Sequence, residues 1–338
     1  MNAEKIIRSL CFFSRHLNDA IPNKLEELEN RLLDQGYQIQ TRRACFYEES
    51  IKSINTWSCG DSFYLSAGTL DFRSASSQLD PFLKAKNTAF NLDLTSGMEP
   101  EAVSLFFEII RRAPQRSFSF AFTFNNKSSS PFFPSAAFSK QGFAIGLQST
   151  DLSEECETVD EWLQNMKTVW KEIHLLFADK PEFLGIDSSI APLYSGKSSF
   201  VNFLKRQKGS FSNSVATDIF LKISNFIITQ NPKPVGLCGI MLPCLEDFEL
   251  AVEYEAGNFP LERNIFLSLH CGLGIDTYPI GIDESPDRVL EILSLLQQLS
   301  VKYNKALSAR FVSDGQSSIG QKSNFNNQFL KDVVIRPL

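Results

Sequence analysis

The chain has 338 residues, 43% hydrophobic and 21% charged, a composition that excludes disorder over most of its length and admits one large domain or two ordinary ones. Its net charge of -6 and the absence of a long basic run argue against binding a nucleic-acid backbone, and no stretch reaches the roughly 18 apolar residues that span a bilayer. Seven scattered cysteines, odd in number and never in CxxC spacing, point to reduced thiols and a cytoplasmic protein rather than a disulfide scaffold.

The first apolar stretch is broken by Arg8 and Ser9 and lacks a small-residue cleavage site, so 6–14 reads as a first strand and not as a signal peptide. Leucines 25, 28, 32 and 33 share one face of a helix that Gly36 stops. A strand follows over 37–47, then a Ser-rich stretch of ambiguous structure (48–78) and a strand at 88–94. Pro100 and two glutamates open a helix to Arg112. The alternation of Phe118, Phe120, Phe122 and Phe124 predicts a strand over 116–124, followed by a loop at 125–134 and a strand at 143–148.

A long amphipathic helix at 159–177 carries Trp162, Met166, Trp170 and His174, the last read as structural. Strands are predicted at 183–187, 234–242, 275–280, 306–312 and 333–337, and helices at 215–229, 247–254, 260–270 and 286–303. Strand and helix alternate this often when a mostly parallel sheet is wrapped by helices. No Gly/Pro-rich linker divides the chain, so a single α/β unit is expected. The 30 phenylalanines are read as packing, and the basic clusters Arg42-Arg43, Arg111-Arg112 and Lys205-Arg206-Lys208 as solvated ends of elements.

Several chemistries lack their signatures. There is no GxGxxG after a strand, no GxxxxGK[ST], no GxSxG and no HExxH, and only three histidines occur. Five local patterns are distinctive. They are Gly236-Leu-Cys-Gly-Ile-Met-Leu-Pro-Cys-Leu-Glu-Asp247, Cys271-Gly-Leu-Gly-Ile-Asp-Thr277, Asn304-Lys-Ala-Leu-Ser-Ala-Arg310, Glu182-Phe-Leu-Gly-Ile-Asp187 with Ala191-Pro192, and Asn125-Asn126 with Pro131-Phe-Phe-Pro134 and Phe143-Ala-Ile-Gly146.

In this order the patterns resemble the family called domain of unknown function 711, or UPF0210, from the first strand to about Gly315. The resemblance implies one barrel-like unit of mostly parallel strands with outer helices, similar to the barrel of glycyl-radical enzymes such as pyruvate formate-lyase. It does not bring the radical chemistry: the last glycine, Gly320, sits in Ser-Ser-Ile-Gly-Gln, outside the Arg-Val-x-Gly-aromatic setting. The Asn-rich tail from Gln321 to Leu338 departs from the Gly-rich, Phe-rich family ending, which puts a contribution of the tail to a site in doubt.

Polar residues at the strand ends supply the candidates. Glu246 and Asp247 read either as an acid–base pair or cation ligands, or as the acidic start of a helix. Asp276 follows two glycines and reads as catalytic or as a turn cap. Cys271 is the best-placed thiol, against a buried inert role. Asp187 reads as a cation ligand or an Asx-type turn. Ser210, Ser212 and Asn213 precede a helix and offer donors to an anion, or simply cap that helix. Lys305 and Arg310 would neutralise an anionic ligand, and Arg310, inside an apolar strand, needs a partner among Asp187, Glu246 and Asp276.

The function expected from these residues is hydrolase or lyase chemistry on a small polar or anionic metabolite, with Glu246, Asp276 and Cys271 catalytic and a divalent cation on Asp187 and Asp247. The alternative is a non-catalytic ligand-binding or scaffold protein, with homo-oligomerisation left open. Carboxylates all committed to partners would favour binding, whereas unpaired ones converging on Arg310 would favour catalysis. Exposed Phe132, Phe133 and Phe138 would favour a scaffold.

Overall fold

The computed structural model describes residues 4–58 and 63–338. The chain is α/β, and ten of its described strands form one mostly parallel sheet with helices around it. In chain order the first half runs β1 (Lys5–Ser14), α1 (Ile21–Leu33), β2 (Tyr37–Ile39), β3 (Arg42–Phe46), α2 (Ile51–Thr56), β4 (Tyr64–Leu70), α3 (Phe72–Ser77), α4 (Leu79–Lys84), β5 (Thr88–Asp93), α5 (Pro100–Arg112), β6 (Phe120–Phe124) and β7 (Gly142–Leu147). The second half runs α6 (Val159–Leu176), β8 (Phe183–Asp187), α7 (Phe200–Lys208), α8 (Phe211–Val215), α9 (Ile219–Gln230), α10 (Phe248–Glu255), α11 (Leu261–His270), β9 (Gly274–Pro279), α12 (Pro286–Tyr303) and β10 (Leu307–Val312).

The sheet order is β8-β7-β1-β3-β4-β5-β6-β10-β9, with β2 also on β1. Strands β1 to β6 are mutually parallel, and β7 to β10 run the other way. The two directions meet at antiparallel seams, β1 against β7 and β6 against β10. The remaining edges, β8 and β9, are joined through the segment 234–247. Pro234 bridges to Ile186, Ile240 to both Ile190 and Gly272, and Pro243 to Asp276, all in parallel. Strand order therefore runs in a ring.

Side chains alternate across the sheet as the pleat requires. Phe46, Phe90, Leu92, Phe120, Phe122 and Ile145 join the main core with the helices. Phe106 of α5 packs its ring against Phe120, Phe122 and Phe311, so much of the phenylalanine content is packing. On the opposite face Cys11, Phe13, Cys45 and Ala144 form a second cluster with Ala136 and Leu184. The loop between β6 and β7 enters on this side. Asn91 Nδ2 donates to the carbonyls of Pro134 (2.8 Å) and Ala136 (2.9 Å), and Ser9 Oγ donates to Pro131 O (2.7 Å). Gly146 is required here, because a Cβ would lie 2.5 Å from the Phe132 ring.

Several predicted elements differ in the structure. The strand expected at 234–242 makes only isolated bridges, because Pro234 lacks an N–H and Gly236 and Cys238 take positive φ (73° and 45°). The strand expected at 37–47 breaks into β2 and β3, where Gln40 N turns to Ile7 O. The first half of the 116–124 strand folds as tight helical turns over Pro114–Ser119, behind a proline. The helix expected at 215–229 begins at Ile219, after the short α8. The last strand reduces to one bridge, Lys322 with Val334. The ambiguous 48–78 stretch holds α2, β4 and α3, apart from residues outside the described set, Cys59 among them. The other six cysteines are free. Among the described residues no helix is long and apolar enough to cross a membrane.

Asp187, at the end of β8, ties the closing segment to the loop inside the sheet. Its fully buried carboxylate accepts from Ser130 Oγ (2.7 Å), Ser189 Oγ (2.6 Å) and N (3.1 Å), Leu237 N (3.0 Å) and Cys238 N (3.0 Å). Replacing it strands three backbone donors, those of Ser189, Leu237 and Cys238. Asp187→Ala should therefore lose about 3 kcal/mol in urea unfolding, with an unchanged slope against urea. A loss below about 1 kcal/mol would show that the closing segment does not depend on this carboxylate.

Candidate functional site

A cavity of about 890 Å³ opens where β1, β3, β4, β5 and β6 begin. Its floor is Phe132 to Ser135, its far wall is Ala191 to Tyr194 with Met241, Leu242, Pro243 and Glu246, and Asn327 to Phe329 of the tail line it too. Two irregularities aim charges into it. The register of β1 against β7 shifts between Ile7 and Ser9, and that of β10 against β9 shifts between Ala309 and Phe311. Each shift falls at an arginine, Arg8 and Arg310, and such bulges re-aim a side chain relative to its neighbours.

The two arginines and two carboxylates form one buried chain. Arg8 Nη2 donates to Glu246 Oε2 (3.0 Å), and Arg8 Nη1 to Gln148 Oε1 (3.2 Å). Glu246 Oε1 accepts from Arg310 Nη2, and Arg310 Nε donates to Asp276 Oδ1 at 2.6 Å. The guanidinium of Arg310 lies 5.0 Å over the Phe118 ring. Side-chain exposures run from 6% at Glu246 to 19% at Asp276, so these pairs are shielded from water. Burial pushes the Asp276 carboxyl up against the pull of Arg310, and nearby Glu246 adds to the rise.

This chain is charge-neutral, yet further arginines face the cavity. Arg116 spends its donors on the carbonyls of Phe82 (3.2 Å), Lys86 (3.1 Å) and Thr88, over the Phe82 ring. Arg43 differs. Its Nε donates to Thr41 Oγ1 (2.9 Å), and its plane lies 5.1 Å over Phe133 and 5.9 Å over Tyr64. Among the described residues no carboxylate pairs with it. Burial, then the charge of Arg8, lowers its pKa to about 10. An ionised guanidinium with an open edge and an aromatic bed is a ready anion site.

Of the residues singled out from sequence, Glu246, Asp276 and Arg310 converge here, and Arg310 takes two of its three expected partners. The others lie outside the cavity lining. Cys271 is buried at the end of α11, its Sγ on Leu267 O, and burial pushes the thiol up to about 12. Lys305 Nζ donates to Ser268 O. Ser210 caps α8 by accepting from Asn213 N (3.0 Å), Asn213 Nδ2 turns to Lys208 O, and Ser212 Oγ accepts from Arg263. Phe132 is buried, and Phe133 and Phe138 are half-buried around the floor, so the exposed aromatic patch expected of a scaffold is not formed.

Asp247 serves two helices at once. It accepts from Glu249 N (3.2 Å) and Leu250 N (3.3 Å) at the start of α10, and from Phe200 N (3.0 Å) and Val201 N (3.2 Å) at the start of α7. Ser199 Oγ completes its shell at 2.6 Å. Asp187 and Asp247 are thus each filled by N–H and O–H donors, and among the described residues no three His, Cys, Asp or Glu side chains gather around a cation position. Their geometry is that of anchors for loops and helix starts.

The sequence reading missed Arg8, Arg43, Tyr64, Tyr194 and Phe329. The rule applied to Arg310, that a charge inside an apolar strand must be paired or face a lumen, would have found Arg8 and Arg43. Phe329 carried no local signal. Its ring stacks on Phe118 (6.5 Å, 5° between planes) and Tyr194 (6.1 Å, 17°), so the divergent tail does contribute to the cavity.

A profile of the family described as Uncharacterised ACR (DUF711) matches residues 87–326. The chain belongs to that family. The match starts later than the resemblance read from sequence and extends past Gly315 to Asn326, into the tail. No curated protein matches the chain.

Asp247 offers a pH test of its double cap. Burial raises its carboxyl from 3.8 to about 6, against the pull of its donors. A carboxyl with a raised folded pKa contributes stability in acid that is lost as pH rises through the folded value. Relative to Asp247→Asn, wild type should lose about 3 kcal/mol between pH 4 and pH 7. Urea unfolding of both proteins across that range checks this, and a constant difference would refute it.

Proposed function

We propose that this DUF711 protein binds a small organic anion in the cavity, within a closed barrel similar to that of pyruvate formate-lyase. The ring of bridges through 234–247 supports the barrel. The observation that carries the binding reading is the imbalance of charge. Glu246 and Asp276 are committed to Arg8 and Arg310, while Arg43 keeps its charge and its Nη edge without a carboxylate among the described residues. A protein of net charge -6 has thereby concentrated positive potential in one recess.

Commitment of both cavity carboxylates to arginines favours binding over hydrolase or lyase chemistry. One observation keeps the catalytic reading as second. Asp276, raised by burial and lining the cavity, has the shift expected of a group that exchanges protons with a ligand. In either reading Arg43 holds the anion, and Arg8 and Arg310 keep the wall in place.

A thermal-shift and calorimetric screen of organic anions against wild type and Arg43→Ala tests the reading. Losing charge-assisted hydrogen bonds of about 1.5–3 kcal/mol should weaken the best anion roughly tenfold to a hundredfold. Stability should change little, because Arg43 holds no carboxylate in place. No stabilising anion, or equal affinity for both proteins, would overturn it.

A further inference from the structure

We infer that the ligand is a monocarboxylate with a flat aromatic body, its carboxylate on the Nη edge of Arg43 and its ring along the Tyr194, Phe329 and Phe118 wall. This rests on the anion-binding reading and narrows it to a chemical class.

The head group follows from donors and charge. Arg8 and Arg310 are matched by Glu246 and Asp276, and the donors of Arg116 are spent on carbonyls. One guanidinium edge remains, since Arg43 Nε is held by Thr41. Two parallel N–H groups match the two oxygens of a carboxylate. A phosphate monoester brings a second negative charge and a third oxygen, and the next cation, Arg8, is already bound to Glu246. The surplus charge would then sit unmatched beside that carboxylate.

The body follows from the walls. Tyr64 and Phe133 bed the Arg43 guanidinium. From there the lining continues to Tyr194, Phe329 and Phe118, whose rings stand nearly parallel, 5° and 17° apart in successive pairs. Phe329 lies between the other two, so the rings turn their faces to one another and meet the cavity with their edges, and a flat aromatic face laid on such edges gains attraction beyond area burial. The cavity, at about 890 Å³, has room for a fused or substituted ring system.

Calorimetry on the full chain with four probes separates the claims: 2-naphthoate, cyclohexanecarboxylate, acetate and 2-naphthyl phosphate. Naphthoate should bind at least tenfold tighter than each of the others. Arg43→Lys, which keeps the charge but not the two-pronged edge, should lose tenfold or more for naphthoate. Phe329→Leu should weaken naphthoate at least fivefold while moving cyclohexanecarboxylate less than twofold, with melting curves confirming that both variants fold. If naphthyl phosphate binds as tightly as naphthoate, or cyclohexanecarboxylate equals it, the class assignment falls and the anion site stands. If none of the four binds and the wider anion screen is also empty, both fall.

Discussion

A charge buried away from water is tolerated only when its partner is buried with it. In this protein that constraint links distant parts of the chain. Arg8 comes from the first strand, Glu246 from the segment that joins the sheet edges, Asp276 from β9 and Arg310 from the last strand. Truncating any one of them would leave a neighbour uncompensated in a dry wall. The chain of charges thus fixes the relative positions of the two strand blocks beside the cavity. It also commits both Glu246 and Asp276 to arginines.

The same economy appears in the loops. Asp187 gathers donors from the inserted loop and the closing segment, and Asp247 starts two helices with one side chain. Both had a structural and a ligand-holding reading in the sequence. Donor geometry accounts for the structural reading of each, and that geometry depends on residues 40 to 60 positions away, such as Ser130 for Asp187 and Ser199 for Asp247. Local spacing cannot supply that information.

What was legible followed from periodicity and punctuation. The alternation of Phe120, Phe122 and Phe124 marked a strand face, and the leucine stripe with Gly36 marked α1 and its end. Glu246, Asp276 and Arg310 were legible because polar groups at strand ends or inside an apolar strand are out of place unless they face one another. Arg43 was hidden by its neighbour: Arg42-Arg43 looks like a solvated strand end, and only the pleat, with Arg43 on the same face as Cys45, separates them. The irregular course of 234–242 was misread because its apolar composition matches a buried strand. Two positive-φ residues and a proline break the ladder there.

The cavity draws its walls from Arg8 to Phe329, nearly the whole length of the chain. Contacts of such sequence separation form late, because the loops they close must first be ordered. During synthesis the Phe118, Phe329 and Tyr194 wall can assemble only after Phe329 has left the ribosome. Until the tail is in place the recess therefore lacks Phe329, the middle ring of that wall, and Phe118 and Tyr194 have nothing between them.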